Sequence, residues 1–280
     1  MKRRILTANN LNDFQKYLIL QEKSKATTKK YFRDAKVFAD FAGNEEIRKE
    51  IVIAYKEHLR ENHAVRSVNS MLASINSLFA FLGWFDLKIK ALKVQHQVFC
   101  SEEKELTKAE YARLCKAAQS NHNERLNLIL QTICATGIRV SELRFITVEA
   151  VKQSEATVSL KGKTRSIFIV KDLKKKLLRY AAKQNIKSGM IFVTRTSKPI
   201  NRTNIWREMK NLCKKANVNP QKVFPHNLRH LFARVFYNIE KDIAKLADIL
   251  GHSSINTTRI YIISTGTEHR MRMENMRLIL

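Results

Sequence analysis

The sequence is short of the residues that break or cross-link a chain. Its 280 residues include 7 glycines, 3 prolines and 4 cysteines. Such a low glycine and proline content, together with 44% hydrophobic residues, excludes a low-complexity chain and favours a globular, mainly helical protein. The cysteines have no CxxC spacing, so we expect neither a zinc site nor a disulfide framework. A reducing, cytoplasmic environment fits this pattern best.

Long apolar runs are missing as well. No stretch approaches the roughly 20 apolar residues that a membrane-spanning helix needs. The basic N-terminus, residues 1–4, is not followed by the hydrophobic core of a signal peptide. We therefore expect no insertion into a membrane.

Positive charge is what the sequence has in excess. Lys and Arg number 52 against 25 Asp and Glu, which gives a net charge of +27. A field of one sign and this strength predicts a polyanionic partner, either nucleic acid or an anionic membrane surface. A basic surface that serves only solubility is the alternative.

The length suits two domains, each with its own core. Apolar periodicity predicts a helical domain over residues 1–97, with helices near 11–19, 27–43, 47–59 and 65–82. Ile19 is expected on the buried stripe of the first helix, and Thr27 or Thr28 is a candidate to open the second. Residues 98–105 lack apolar periodicity and are typical of a linker. Thr107 and Glu110 then form a capping-box pattern that opens a second domain over residues 106–280.

The second domain is predicted to be helical around a small antiparallel sheet. A hairpin is expected from two alternating segments, 156–160 and 165–170, around a tight Lys161-Gly162-Lys163-Thr164 connection. A third strand is predicted at 190–194. Helices are predicted at 108–119, 124–135, 173–184 and 201–216. The predicted fold class is mainly α with a small antiparallel β-sheet.

The stretch 225–261 concentrates residues capable of chemistry. Pro225 suits the first turn of a helix whose apolar residues include Ile239, and Gly251 suits the end of the helix that follows. Ser253 or Ser254 is placed to cap a short helix leading to Tyr261. Three polar side chains share one face of the first helix, three and four residues apart: His226, Arg229 and His230.

Arginines, histidines, a lysine and a tyrosine in so basic a chain suggest phosphoryl transfer on a nucleic acid backbone. A tyrosine nucleophile has an ordinary pKa of about 10 and needs a neighbouring base, for which His226 is a candidate. Arginines suit the phosphate oxygens because their planar fork donates two hydrogen bonds and stays charged. Lys161 can protonate a departing 5′ oxygen, and His252 can donate a further hydrogen bond to the phosphate.

Three strings carry a family resemblance: ATGIRVSEL (135–143), HNLRH (226–230) and LGHSSINTTRIY (250–261). They resemble the signature boxes of the tyrosine recombinases, the lambda-integrase and Xer group. The resemblance covers the chain from about residue 105 onward. The N-terminal segment is similar in size and position to the family's core-binding domain, so the resemblance implies a SAM-like helical domain followed by a tyrosine-recombinase catalytic domain.

The resemblance also implies roles for individual residues. Arg139 and Arg229 would grip the scissile phosphate, Lys161 would act as general acid, His226 would assist proton transfer, His252 would bind phosphate and Tyr261 would attack. Lys163 is the alternative general acid, and Glu142 and His230 match supporting positions. The attack would leave a 3′-phosphotyrosine and a free 5′-hydroxyl, so neither ATP, a metal nor another cofactor is expected.

The expected partner is double-stranded DNA at recombination sites, bound by four protomers on two sites in a nucleoid-associated complex. Apolar residues near the C-terminus predict a tail that docks into a neighbouring protomer or folds back onto its own core: Met271, Met276, Leu278, Ile279 and Leu280. An accessory protein that sets directionality is a further candidate partner. The candidate phosphate contacts outside the site are Lys25, Lys29, Lys30, Arg33 and Lys163. A solvated helix face is the alternative for the first four.

The biological role has several readings. Because the helical domain begins near residue 1, we expect no separate arm-site-binding domain. An integrase or transposase of a mobile element is slightly favoured over a Xer-like chromosome-dimer resolvase. A type IB topoisomerase, which relaxes DNA as a monomer, shares the same catalytic residues. A non-catalytic DNA-binding regulator descended from a recombinase is the remaining alternative.

Overall fold

The computed structural model describes residues 3–43, 45–94, 102–160, 163–194, 196–262, 270–271 and 273–276. The chain divides into two compact units, residues 1–96 and 97–280, and each has its own hydrophobic core. Of the expected linker, residues 98–101 lie outside the described residues, and Glu102–Lys104 forms a short 3₁₀ helix. No helix in the described part of the chain is long and apolar enough to span a membrane.

The N-terminal unit is built from four α-helices in its described residues: α1 Ala8–Leu20, α2 Lys25–Ala42, α3 Lys49–Asn62 and α4 Val65–Phe81. A 3₁₀ turn, Phe85–Leu87, follows α4. The core is rich in aromatic rings, and Phe38 packs edge-on against both Tyr55 and Phe79. The predicted helical domain is therefore confirmed.

Two local expectations in this unit are wrong. The cap of α2 is Ser24, whose hydroxyl accepts a hydrogen bond from the Thr27 amide at 3.2 Å, so neither Thr27 nor Thr28 opens the helix. Ile19 was expected on the buried stripe of α1 but is 60% exposed. It lies in the last turn, where the buried face has already ended at Leu18.

The second unit contains eight α-helices in its described residues: α5 Lys108–Ser120, α6 Glu124–Thr136, α7 Val148–Gln153, α8 Lys171–Lys183, α9 Arg202–Ala216, α10 Pro225–Glu240, α11 Ile243–Leu250 and α12 Ile255–Arg259. Two 3₁₀ segments, Val140–Phe145 and Pro220–Lys222, join them. The helix α6 lies at the centre of the unit, with Ile129, Leu130 and Ile133 fully buried.

The sheet is a single antiparallel hairpin in the described residues. Strands β1 Glu155–Leu160 and β2 Lys163–Phe168 form the predicted hairpin, but β2 begins at Lys163, two residues earlier than expected, and Ser159 pairs with Thr164. The third strand expected at 190–194 is wrong. That segment forms only isolated bridges, Met190 with Thr147 and Val193 with Pro199, and the Thr194 amide donates to the Lys198 carbonyl at 2.8 Å.

The predicted helices around the site are present as α10, α11 and α12. Pro225 lies in the first turn of α10, and Gly251 ends α11 with φ +64°. Ile239 was expected on the buried face of α10 but is 75% exposed, because it lies in the last turn. Ser254 occupies the cap position of α12 without a side-chain hydrogen bond to the helix.

Candidate active site

The first part of the site is the turn after α6. This helix ends at Gly137, whose φ of +64° is left-handed, and a Cβ there would lie 2.5 Å from Cδ1 of Phe232 on α10. A side chain at this position would therefore clash with the Phe232 ring, in addition to straining the left-handed backbone. The turn leads directly into Arg139 and the 3₁₀ segment that carries Glu142.

The buried carboxylate of Glu142 forms ion pairs with Arg139 and Arg165. Its side chain is 2% exposed. Its carboxylate accepts from the Arg139 amide at 2.9 Å, from Arg139 Nη1 at 2.8 Å and from Arg165 Nη2 at 2.6 Å. Burial opposes its ionisation, but the hydrogen bonds from Arg139 and the charge of Arg165 outweigh burial and lower the pKa of Glu142. The carboxylate therefore stays ionised and holds both guanidinium groups.

Arg229, on α10, is 1% exposed. Nη1 donates to the Gly137 carbonyl at 2.5 Å, and Nη2 donates to the Leu250 carbonyl at 2.7 Å. Burial, followed by the nearby charge of Arg139, lowers the pKa of Arg229 to about 10. The guanidinium consequently remains charged at neutral pH.

The C-terminus of α11 organises these arginines. Three successive carbonyls each accept from a different guanidinium: Ile249 from Arg165, Leu250 from Arg229 and Gly251 from Arg139. The last carbonyls of a helix have no partner within the helix and carry the negative end of its dipole, so they attract cations. The C-terminal end of α11 therefore holds the guanidinium groups of Arg139, Arg165 and Arg229 close to one another. Arg139, Arg165 and His252 also line a cavity of about 940 Å³.

Tyr261 lies inside this cationic site. Its residue is 5% exposed, and its hydroxyl is 3.1 Å from Nε2 of His226. The ring of His230 lies beside the Tyr261 ring, tilted by 33°, with the centroids 4.1 Å apart. Burial lowers the pKa of His226, and it lowers the pKa of His230 to about 4. Both imidazoles are therefore neutral at pH 7, and His226 is able to accept the phenol proton.

His252 lies between Arg229 and α12. Its Nε2 is 3.0 Å from Arg229 Nη2, and its Nδ1 is 2.9 Å from the Thr258 hydroxyl. Burial, followed by the charge of Arg229, lowers the pKa of His252 to about 4. The ring centroids of His252 and Tyr261 are 5.2 Å apart.

Most of the catalytic set expected from the sequence lies together around Tyr261. Arg139, His226, Arg229, His252 and Tyr261 come from the end of α6, from α10 and from the chain around α12. The supporting candidates Glu142 and His230 contact this group. Lys161 lies outside the described residues, as does the side chain of Lys163.

The sequence interpretation missed Arg165 and Thr258. Arg165 and the buried Ile167 are two residues apart on β2 and therefore point to the same, inward face of the strand. The Arg165 side chain is only 11% exposed. A basic residue at an inward position of a strand is a signal that could have been read. Thr258 offered no comparable signal, since it resembles any threonine in a short helix.

The four basic residues of α2 do not have equal surroundings. Lys25, Lys29 and Arg33 are exposed. The Lys30 ammonium instead contacts the fully buried Asp34 at 2.5 Å and the Ser74 hydroxyl at 3.1 Å. Near the C-terminus, Met271 and Met276 are both exposed, whereas 277–280 lie outside the described residues.

A model of the phage integrase family matches residues 104–268, and a model of the family's N-terminal SAM-like domain matches residues 11–84. The chain belongs to the phage integrase family. It is an enzyme of the tyrosine-recombinase type, and the family resemblance read from the three strings is confirmed.

Curated relatives align along nearly the whole chain. Tyrosine recombinase XerA of Pyrococcus horikoshii is 30% identical over 98% of this chain and 96% of the relative. Tyrosine recombinase XerD of Halalkalibacterium halodurans is 29% identical over 92% of this chain and 95% of the relative. These relatives extend the similarity across both units.

Solved integrase structures share the fold. A lambda integrase dimer bound to a COC′ core site matches with a TM-score of 0.75 at 18% identity, covering 93% of this chain and 96% of that chain. A XerA recombinase matches with a TM-score of 0.54 at 26% identity, covering 97% and 99%. The expected architecture, a SAM-like domain followed by an integrase catalytic domain, is confirmed.

Proposed function

We propose that this protein cleaves and rejoins DNA at specific sites through a 3′-phosphotyrosine on Tyr261. The observation that carries the proposal is the hydrogen bond between the Tyr261 hydroxyl and a neutral His226, inside a site that also holds Arg139 and Arg229. A phenol beside a base, with two guanidinium groups nearby, suits attack on a phosphodiester.

In the proposed step, Tyr261 Oη bonds to phosphorus while the bond to the 5′ oxygen breaks. The phenol proton goes to His226 Nε2, and the departing 5′ oxygen takes a proton from Lys161, a role carried over from the family motif. Arg139 and Arg229 stabilise the charge on the non-bridging oxygens. Because the new ester retains the energy of the broken bond, the free 5′-hydroxyl of another strand can reverse the step without ATP.

The DNA is proposed to contact both units. Residues 1–97 would bind the core site, residues 106–280 would perform catalysis, and 98–105 would join them. Lys25, Lys29 and Arg33 are exposed and suited to phosphates, whereas Lys30 has partners within its own unit. Binding should weaken by about 0.9 log units per phosphate contact for each tenfold rise in salt concentration. A flat salt response would argue against a DNA partner.

The biological role is a separate question. Relatives named XerA and XerD cover most of the chain, which favours a Xer-type resolvase. An integrase or transposase of a mobile element, the role slightly favoured by the sequence, is the second candidate, because a Tn1549 transposon integrase shares the fold at a TM-score of 0.70 and 16% identity. Tetramer formation on DNA is proposed by analogy with a lambda integrase tetramer on a Holliday junction. Cytoplasmic location and an accessory protein stay predictions.

A pool of random-sequence nicked duplexes tests the chemistry without assuming any target site. The nick releases a short strand after cleavage and traps the covalent adduct. The wild-type protein should capture a restricted set of sequences, and Tyr261→Phe should capture none while still binding DNA. Capture with no sequence preference, together with relaxation of any supercoiled plasmid, would favour a topoisomerase. Equal behaviour of the two proteins would favour the non-catalytic regulator.

A further inference from the structure

Thr258 is placed differently from the rest of α12. It is fully buried, while its helix neighbours Thr257 and Arg259 are exposed. Its hydroxyl is 2.9 Å from His252 Nδ1, and its carbonyl accepts from the Tyr261 amide at 2.9 Å. One residue therefore contacts both the histidine and the segment that carries the nucleophile.

The hydrogen bonds around His252 determine which ring nitrogen carries the proton. A guanidinium can only donate, so His252 Nε2, 3.0 Å from Arg229 Nη2, must accept. A neutral imidazole that accepts at Nε2 carries its proton at Nδ1. This Nδ1–H therefore donates to the hydroxyl oxygen of Thr258. Arg229 thus fixes the proton on Nδ1 while it donates to Nε2, and the Thr258 hydroxyl is the acceptor that can keep the proton there when Nε2 faces substrate.

We propose that Thr258 is a positioning residue, which holds the His252 proton on Nδ1 and directs Nε2 toward the scissile phosphate. This inference rests on the proposed function and on the role that the family resemblance implies for His252, which is to bind the phosphate. When a phosphate oxygen replaces Nε2 as the partner of Arg229 Nη2, Nε2 is free to take a proton from solvent. The resulting Nε2–H donates to the phosphate while Nδ1–H keeps its bond to Thr258.

Other charged groups near His252 do not replace this contact. Arg139, Arg165 and Arg229 all disfavour a charged ring, and so does His226. None of them accepts a hydrogen bond from Nδ1 in the described part of the chain. Valine has nearly the shape of threonine but no acceptor, so Thr258→Val would leave a buried Nδ1–H without a partner. The ring would then rotate away from Arg229, or move its proton to Nε2 and lose the hydrogen bond from Arg229 Nη2.

Nitrogen-15 NMR of the full chain tests the inference without DNA, with the His252 signals assigned by their loss in His252→Asn. The wild-type protein should show a protonated Nδ1 and an unprotonated Nε2. Thr258→Ser should keep this state, and Thr258→Val should lose it. Thr257→Val, an exposed change on the same helix, is the matched control and should resemble wild type. A proton on Nε2 in the wild-type protein would overturn the inference, even if Thr258→Val failed to fold.

Single-turnover cleavage of one duplex selected from the nicked pool gives the second readout. Thr258→Val should cleave about 10- to 100-fold more slowly, by analogy with hydrogen-bond partners behind metal-bound histidines, with unchanged affinity for that duplex. Thr258→Ser and Thr257→Val should stay within about threefold of wild type by the same reasoning, because each leaves the contact to Nδ1 in place. Cleavage by Thr258→Val at the wild-type rate would contradict the inference. Absence of any wild-type adduct would contradict the proposed function instead and leave the NMR result standing.

Discussion

Gly251 offers a direct test of how tightly the arginines are packed against the end of α11. With φ +64°, it is in the left-handed region, and a Cβ there would lie 2.5 Å from Cδ of Arg165 and 3.0 Å from its Nε. Gly189, in the same unit, has φ +75° and no atom within 4 Å of the corresponding Cβ position. Alanine at either position is strained by the left-handed backbone, but only alanine at 251 also clashes with the Arg165 side chain.

The cost of backbone strain and the cost of displacing Arg165 can be estimated separately. The left-handed backbone should cost each alanine variant about 1–2 kcal/mol of unfolding free energy. Gly251→Ala should also displace Arg165, which is held by Glu142 at 2.6 Å. A lost hydrogen bond to a charged group costs about 1.5–3 kcal/mol. Gly251→Ala should therefore be less stable than Gly189→Ala by about 1.5–3 kcal/mol.

Urea denaturation measures the difference. The sequence has two tryptophans, one in each unit, so Trp206 fluorescence in a Trp84→Phe background reports on the second unit alone. In an Arg165→Ala background, Gly251→Ala should cost only the backbone penalty, because the clash is gone. Equal losses for Gly251→Ala and Gly189→Ala would refute the close packing of Arg165 against α11.

Three further predictions concern charge. Glu142→Gln should flatten the dependence of stability on pH in the acid range. Because folding lowers the pKa of Glu142, the ionised carboxylate stabilises the wild-type protein above the ordinary pKa of 4.5, and this stabilisation is lost as pH falls through the lowered pKa. Urea titrations at several pH values measure this dependence, and parallel curves for the two proteins would contradict the prediction. Lys30→Met should lower the free energy of unfolding by about 2 kcal/mol, because it removes one partner of the buried Asp34 while Arg33 and Ser74 remain. The control Lys29→Met, at an exposed position, should lower it by less than about 0.5 kcal/mol. Equal losses in denaturation experiments would contradict the pairing of Lys30 with Asp34. An NMR titration of His226 in the free protein should give a midpoint below 6.5, because burial disfavours its charged form; a midpoint at or above 6.5 would contradict a neutral base beside Tyr261.

Local sequence patterns predicted the helices and the residues at which two of them begin or end. Pro225 and Gly251 mark the start of α10 and the end of α11, because proline and glycine have strict backbone requirements. The catalytic residues could be proposed together because their strings resemble a known family. Their geometry could not be predicted, since the Tyr261–His226 contact joins residues 35 positions apart.

Where the sequence interpretation was incomplete or wrong, the cause was distant packing. Arg165 reaches the Ile249 carbonyl 84 residues away, and nothing local to β2 indicates that partner. Lys30 and Asp34 are four residues apart on one helix, a readable pair, but the burial of Asp34 depends on Ser74 of α4. The strand expected at 190–194 is apolar enough to pair, yet it turns back through the Thr194–Lys198 hydrogen bond.

The most direct test of the central claim is to identify the residue that becomes joined to DNA. The trapped adduct would be digested with nuclease and protease, and the nucleotide-bearing peptide sequenced by mass spectrometry. A single modified residue, Tyr261, carrying a nucleotide through its 3′-phosphate is the predicted result. Attachment at another side chain, or through a 5′-phosphate, would contradict the account.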